Sequence, residues 1–94
     1  MLATFVTLKV KAGSESSFEA VANELAVLVR EKEPGCVLYQ LCKSALPQTY
    51  HFIERYKDVD ALQEHRKTAH FRTLGARMAP LMDGKPEAIH MTEI

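Results

Sequence analysis

The stretch "TYHFIERYKDVDALQEHRKTAHF", residues 49–71, changes its hydrophobic period part-way along, and that change decides the fold. Over its first nine residues, β-branched and aromatic side chains alternate. Tyr50, Phe52, Glu54 and Tyr56 fall on one side and Ile53 on the other, the two-residue repeat of a strand. From Asp58 the repeat lengthens. Val59, Leu62 and His65 share one helical face behind Asp58 as a cap; Thr68 caps a second segment in which Phe71, Leu74, Gly75, Met78 and Leu81 align.

Upstream, "CVLYQLCKS" (36–44) reads as a strand joined to the first by the turn "ALPQ", so the two are expected to pair as a hairpin. In it Leu38 and both cysteines are expected on one face, with Val37, Tyr39 and Leu41 on the other. "LATFVTLKV" (2–10) is another strand, with Leu2, Val6, Leu8 and Val10 opposite Phe5. Between them, "SESSFEAVANELAVLVREKE" (14–33) repeats apolar residues at Phe18, Val21, Ala22, Leu25, Leu28 and Val29 with helical spacing. Ser16 and Glu19 fit a capping box, and Pro34-Gly35 stops the helix near Glu33. "DGKP" ends the later helix and "EAIHMTEI" (87–94) reads as a fourth strand. The order β-α-β-β-α-β, its second helical segment split in two, predicts an α+β ferredoxin-like sandwich.

Ninety-four residues suit one domain, 1–94. Twelve basic side chains balance twelve acidic ones without a long run of either sign, which argues against a nucleic-acid partner. The first ten residues carry neither a basic leader nor an uninterrupted apolar run, so neither a signal peptide nor a membrane span is expected and a cytoplasmic location is. Cys36 and Cys42 lie six positions apart on one strand, roughly 20 Å at about 3.3 Å per residue, too far to bridge. They read as buried thiols, with a reactive thiol or an intermolecular link as the alternative. Helices cover only one face of such a sheet, yet both faces are apolar; a homodimer packed sheet to sheet is therefore expected.

The polar residues of the opening stretch are the candidate site. His65 is on the face turned to the sheet, where a buried imidazole needs a partner, with Glu54 or Tyr56 within reach. It is either a satisfied structural histidine or a base for a phenolic or hydroxyl proton. Glu54 sits among aromatics and needs a donor: an ion pair with Arg72 or Arg77, or a role orienting His65 or holding substrate. Tyr56 and Tyr50 are core aromatics with a polar tip or substrate donors. His70 reads as structural, His51 belongs to the outer sheet face and His90 to the fourth strand. No pair of these has chelating spacing, so no metal is expected. No Gly-rich fingerprint follows a strand and no serine occupies a strand-to-helix elbow, which disfavours hydride and acyl chemistry.

Over nearly the whole chain, "EPGCVLYQL" and "YHFIERYKDVDALQEHRKTAHF" resemble the antibiotic biosynthesis monooxygenase family of small dimeric α+β barrel proteins. That resemblance implies a pocket between sheet and helices in each subunit, working in many members without flavin, haem or metal, so that no cofactor is expected. Haem-degrading relatives use Asn, Trp and His; Phe52 and Tyr56 stand where the first two would be, and only His65 matches. The resemblance implies a cofactor-independent oxygenase acting on a small electron-rich aromatic such as a hydroquinone. His65 would be the base and Tyr56 and Glu54 would orient the substrate. Phe52, Leu62, Phe71 and Met78 would exclude water, with Tyr50 and Arg72 as further contacts. A branch similar in "Y.D.DA...H..T.H" implies instead an isomerase of a phosphorylated hydroxyketone, with a clamp from residues such as Arg66, Lys67 or Arg72. A noncatalytic dimer binding a small apolar ligand is the third reading.

Overall fold

Alternation over Leu2–Lys9 produces the first strand, β1, in a computed structural model that describes residues 1–94. There follow α1 (Glu15–Lys32), the hairpin β2 (Cys36–Lys43) and β3 (Thr49–Tyr56), the helices α2 (Val59–Lys67) and α3 (Ala69–Met78), a 3-10 turn (Ala79–Leu81) and β4 (Glu87–Thr92). The expected order, with its split second helix, is the one observed. The sheet runs β2-β3-β1-β4 with every neighbouring pair antiparallel. This is a ferredoxin-like α+β fold. No helix is long and apolar enough to cross a membrane.

Both short helices begin where the side-chain chemistry dictates. Asp58 accepts a hydrogen bond from the Ala61 amide at 2.8 Å, and Thr68 accepts one from the Phe71 amide, each satisfying an amide that the helix leaves free. The capping box expected at Ser16 and Glu19 does not form. Gly13, at φ +86°, turns the chain early enough for Ser14 to be the N-cap, which leaves Ser16 inside α1. The Glu19 carboxylate instead accepts from the Tyr50 hydroxyl at 2.5 Å.

The inner face of α1 sinks Phe18, Leu25 and Val29 against Leu8, Val10, Tyr39, Tyr50 and Phe52. Each such side chain contributes about 1.5–3 kcal/mol on leaving water. The register fixes which strand residues join them. Thr4 pairs with both Glu54 and His90, and Val6 with Phe52 and Ala88, so all of these face the helices. Phe5 pairs with Ile53 and Ile89 on the outer face.

The two faces of β2 are not divided as simple alternation predicts. A bulge between Cys36 and Leu38 shifts the register, so Cys36 packs against the core alongside Tyr39 and Leu41, while Leu38 and Cys42 turn outward. Both cysteines are free. The α1–β2 connection also sets the height of α2. A Cβ on Gly35 would lie 2.7 Å from that of Ala61, and the Gly35 carbonyl accepts from the Lys57 amide at 2.9 Å. Only a residue without a side chain lets the start of α2 settle this deeply.

Candidate functional site

Because α2 is seated on Gly35, its last turn drives His65 under the sheet, where the ring is 3% exposed. Three aromatic rings surround it, Phe71 at 4.6 Å, Tyr39 at 5.2 Å and Tyr56 at 5.6 Å between centroids. Its hydrogen-bond partner is neither Glu54 nor Tyr56. Nδ1 meets the Glu33 carboxylate at 2.9 and 3.1 Å. An ionised carboxylate only accepts, so Nδ1 carries the hydrogen and Nε2 the lone pair. Nε2 has no partner in the chain, and no buried side-chain nitrogen or oxygen is left unpaired, so this lone pair reaches open space.

Glu33 is the C-cap residue of α1 and is held from both sides, since His70 Nε2 donates to its second oxygen at 2.5 Å. Burial is the main influence on His65 and lowers its pKa below 6.5. Glu33 opposes this, while His70 and Arg66 add to it. The ring is therefore neutral at pH 7, with the acceptor nitrogen free.

Glu54, on β3, needs no arginine: the Tyr56 hydroxyl donates to it at 2.6 Å. Arg77 pairs with Glu24 instead, and Arg72 is exposed. Desolvation pushes the Glu54 carboxyl up to about 7, opposed by the bond from Tyr56 and the charge of Arg66, so it exchanges between acid and carboxylate near neutrality. Burial and the neighbouring Glu54 raise the Tyr56 hydroxyl far out of its ordinary range, and it stays a donor. The Cys36 thiol is pushed up to about 12, first by burial and then by Glu33 and Glu54, which makes it a poor nucleophile.

These groups adjoin a cavity of about 470 Å³ between the sheet and the helices, within the range that holds small organic ligands. His65, Glu54, Phe52, Leu62, Phe71 and Met78 all line it. Tyr56, Tyr50 and Arg72 do not. Tyr56 is wholly buried behind Glu54 and fixes that carboxyl. Tyr50 is engaged with Glu19 on the far side of the core, its hydroxyl pushed up to about 12 by burial and that carboxylate. Arg72 points away because the capped start of α3 turns Phe71 inward and its neighbour out. Of the basic residues named for a phosphate clamp, only Arg66 reaches the lining.

The lining also contains Tyr39, Thr4, His90 and Lys85, none of them singled out from sequence. The Tyr39 hydroxyl has no partner in the chain and, by the same reasoning as for Nε2, opens into the cavity. Alternation along β2 already sets it beside Leu41, on the face that the helices cover. Arg66 donates to His90 Nε2 at 3.2 Å, so His90 Nδ1 is the nitrogen that donates to Thr4 Oγ1, at 3.1 Å. Glu33 did have a signal: a carboxylate at a helix C-terminus opposes the dipole and calls for a separate reason to be there. No group of three or more His, Cys, Asp or Glu side chains is arranged to hold a metal ion.

An antiparallel sheet roofed by helices over an apolar chamber, with one imidazole presenting a lone pair to it, defines a small α+β protein with a cavity between its layers. The chain belongs to the antibiotic biosynthesis monooxygenase family, whose model matches residues 1–77. Among solved structures it is similar to a candidate antibiotic biosynthesis monooxygenase from Caulobacter crescentus CB15, 36% identical, with 99% of this chain and 89% of that one covered and a TM-score of 0.96. A second structure described as an antibiotic biosynthesis monooxygenase is 25% identical over 100% of this chain and 99% of that one, at a TM-score of 0.93. The structure of Rv0793 from Mycobacterium tuberculosis, 24% identical over 99% of this chain and 94% of that one with a TM-score of 0.91, shares the fold. No curated protein matches the chain.

Proposed function

We propose that the protein is a cofactor-independent monooxygenase acting on a small electron-rich aromatic of the hydroquinone type, with His65 as the general base. The observation that carries this reading is the Glu33–His65 contact at 2.9 Å, which leaves the Nε2 lone pair facing an apolar cavity. A substrate hydroxyl gives its proton to Nε2, and the imidazolium so formed is stabilised by Glu33. The aromatic anion then reduces oxygen. Overall a hydroquinone and O₂ yield a hydroxyquinone and water, one oxygen atom entering the ring and the substrate supplying all the electrons. Glu54 and the Tyr39 hydroxyl orient the second substrate oxygen, and Phe52, Leu62, Phe71 and Met78 keep water away, which strengthens these few polar groups.

We also place a second copy of the chain on the outer sheet face, where Leu38, Ile53, Ile89 and Met91 are exposed around Phe5. The deciding experiment is oxygen uptake by metal-stripped protein over a panel of hydroquinones. Uptake with at least one, lost in His65→Ala, is expected; turnover unchanged in that variant removes the base from the mechanism.

A further inference from the structure

Charge is distributed unevenly around the cavity. Its only acidic lining residue is Glu54, held deep against Tyr56, whereas Arg66 from α2 and Lys85 from the loop before β4 both stand on the lining and are exposed at its mouth. Neither cation is in an ion pair, whereas Arg55 and Arg77 each have a glutamate, and Arg72, exposed and also without one, is off the lining. Arg66 is nevertheless held in place. It donates to His90 Nε2 at 3.2 Å, and His90 is braced by Thr4 at 3.1 Å, so the guanidinium is fixed beside the cavity with its remaining N–H groups uncommitted. Its charge reaches inward, since it is among the influences that stabilise ionised Glu54.

An apolar chamber whose mouth has two unpaired cations and whose depth has a single base is complementary to a ligand with an apolar body and an anionic end. We infer that the substrate of this site is an aromatic acid, its ring system lying between Phe52, Phe71 and Met78 and its carboxylate bound by Arg66 and Lys85. This rests on the reading of the same cavity as a substrate pocket, and it adds the chemical class of what enters. A planar guanidinium suits a carboxylate, with which it pairs bidentately. The cavity mouth offers no second arginine for a phosphate dianion, because Lys67 and Arg72 are off the lining.

The test is binding to the full chain by calorimetry, comparing 2-naphthoate with the isosteric neutral 2-naphthamide. The acid is expected to bind about tenfold more tightly, the effect of one charge-assisted hydrogen-bonded pair at a partly wet site. Arg66→Gln and Lys85→Gln should each erode that preference by weakening naphthoate more than naphthamide, and Lys67→Gln, off the lining on the same helix, should preserve it. Equal affinity for acid and amide overturns the inference, as does a preference that survives both lining substitutions. Tighter binding of 2-naphthyl phosphate than of 2-naphthoate overturns the carboxylate assignment. Because binding is read without turnover, absence of oxygen uptake would sink the oxygenase reading and leave this one standing, and the reverse holds equally.

Discussion

Glu33 and His65 are 32 residues apart in the chain and 2.9 Å apart in space, and this contact alone determines which imidazole nitrogen faces the cavity. Glu33 itself is clasped by His70, so its carboxylate cannot rotate away without losing a second hydrogen bond. The site is thus arranged from the end of α1, an element that contributes only Leu25 to the cavity wall.

The first prediction concerns pH. His65 is faced by Glu33, His70 and Arg66, by Glu54 beyond the ring, and by the hydroxyls of Tyr39 and Tyr56. Glu33 raises its pKa against the larger effect of burial. A base works when unprotonated, so kcat/KM should rise with pH through the His65 pKa, below 6.5. Glu33→Gln removes the raising charge. The acid limb should move to lower pH and the plateau rate fall roughly tenfold or more as the tautomer is no longer enforced. A limb that stays in place would mean that Glu33 is only a structural partner.

Glu54 makes a prediction about stability that is independent of turnover. Its pKa is raised from 4.5 to about 7, chiefly by desolvation. A group raised on folding contributes stability fully present below pH 4.5 and lost as pH rises through about 7, on the order of 3 kcal/mol for a shift of this size. Glu54→Gln can still accept from Tyr56 but does not ionise. Urea unfolding should find the variant matching the parent near pH 4 and more stable by up to that amount at pH 8. A difference that does not change with pH would contradict the raised pKa.

Much of this fold could be read from the chain because its signals are local. Asp58 and Thr68 cap the helices expected of them, and Pro34-Gly35 ends α1 where the apolar repeat stops. The interior face of β3 follows from alternation, which groups Phe52 with Glu54, and the helical spacing of Leu62 and His65 turns the imidazole towards the same face. What alternation misses is a one-residue slip: the bulge after Cys36 puts that residue on the inner face with Tyr39 and Leu41, where alternation sets it with Leu38 and Cys42. Pairing across the fold is harder still. Glu54 could be seen to need a donor, but the choice of Tyr56 over an arginine depended on the helices carrying Arg72 and Arg77 away from it. The partners of His65 and His90 lie 32 and 86 positions away, beyond any periodicity.

The outer sheet face supplies the third prediction. Ile53 is 39% exposed and Ile89 58%, and they flank Phe5 in register on β3, β1 and β4. An apolar strip of this kind is covered by a partner in stable proteins. Sedimentation at micromolar concentration should find a dimer, and Ile53→Lys, which faces away from the core, should convert it to a folded monomer. A monomeric parent protein would remove the sheet-to-sheet assembly.

The last prediction tests how α2 is seated. With the Cβ of Ala61 only 2.7 Å from where one on Gly35 would lie, Gly35→Ala must push the start of α2 outward. Overpacking of this kind costs about 1–3 kcal/mol. Because Ala61 and His65 are four residues apart on one helix face, the shift should also loosen the His65–Glu33 contact and lower turnover. Ala61→Gly, costing up to about 1 kcal/mol alone through its helix propensity, makes room for the new methyl group. In a double-mutant cycle the pair Gly35→Ala, Ala61→Gly should therefore be more stable than the two single losses sum to, and should regain activity. Strict additivity of the two changes would show that the glycine serves the turn's backbone and not the approach of the helix that carries His65.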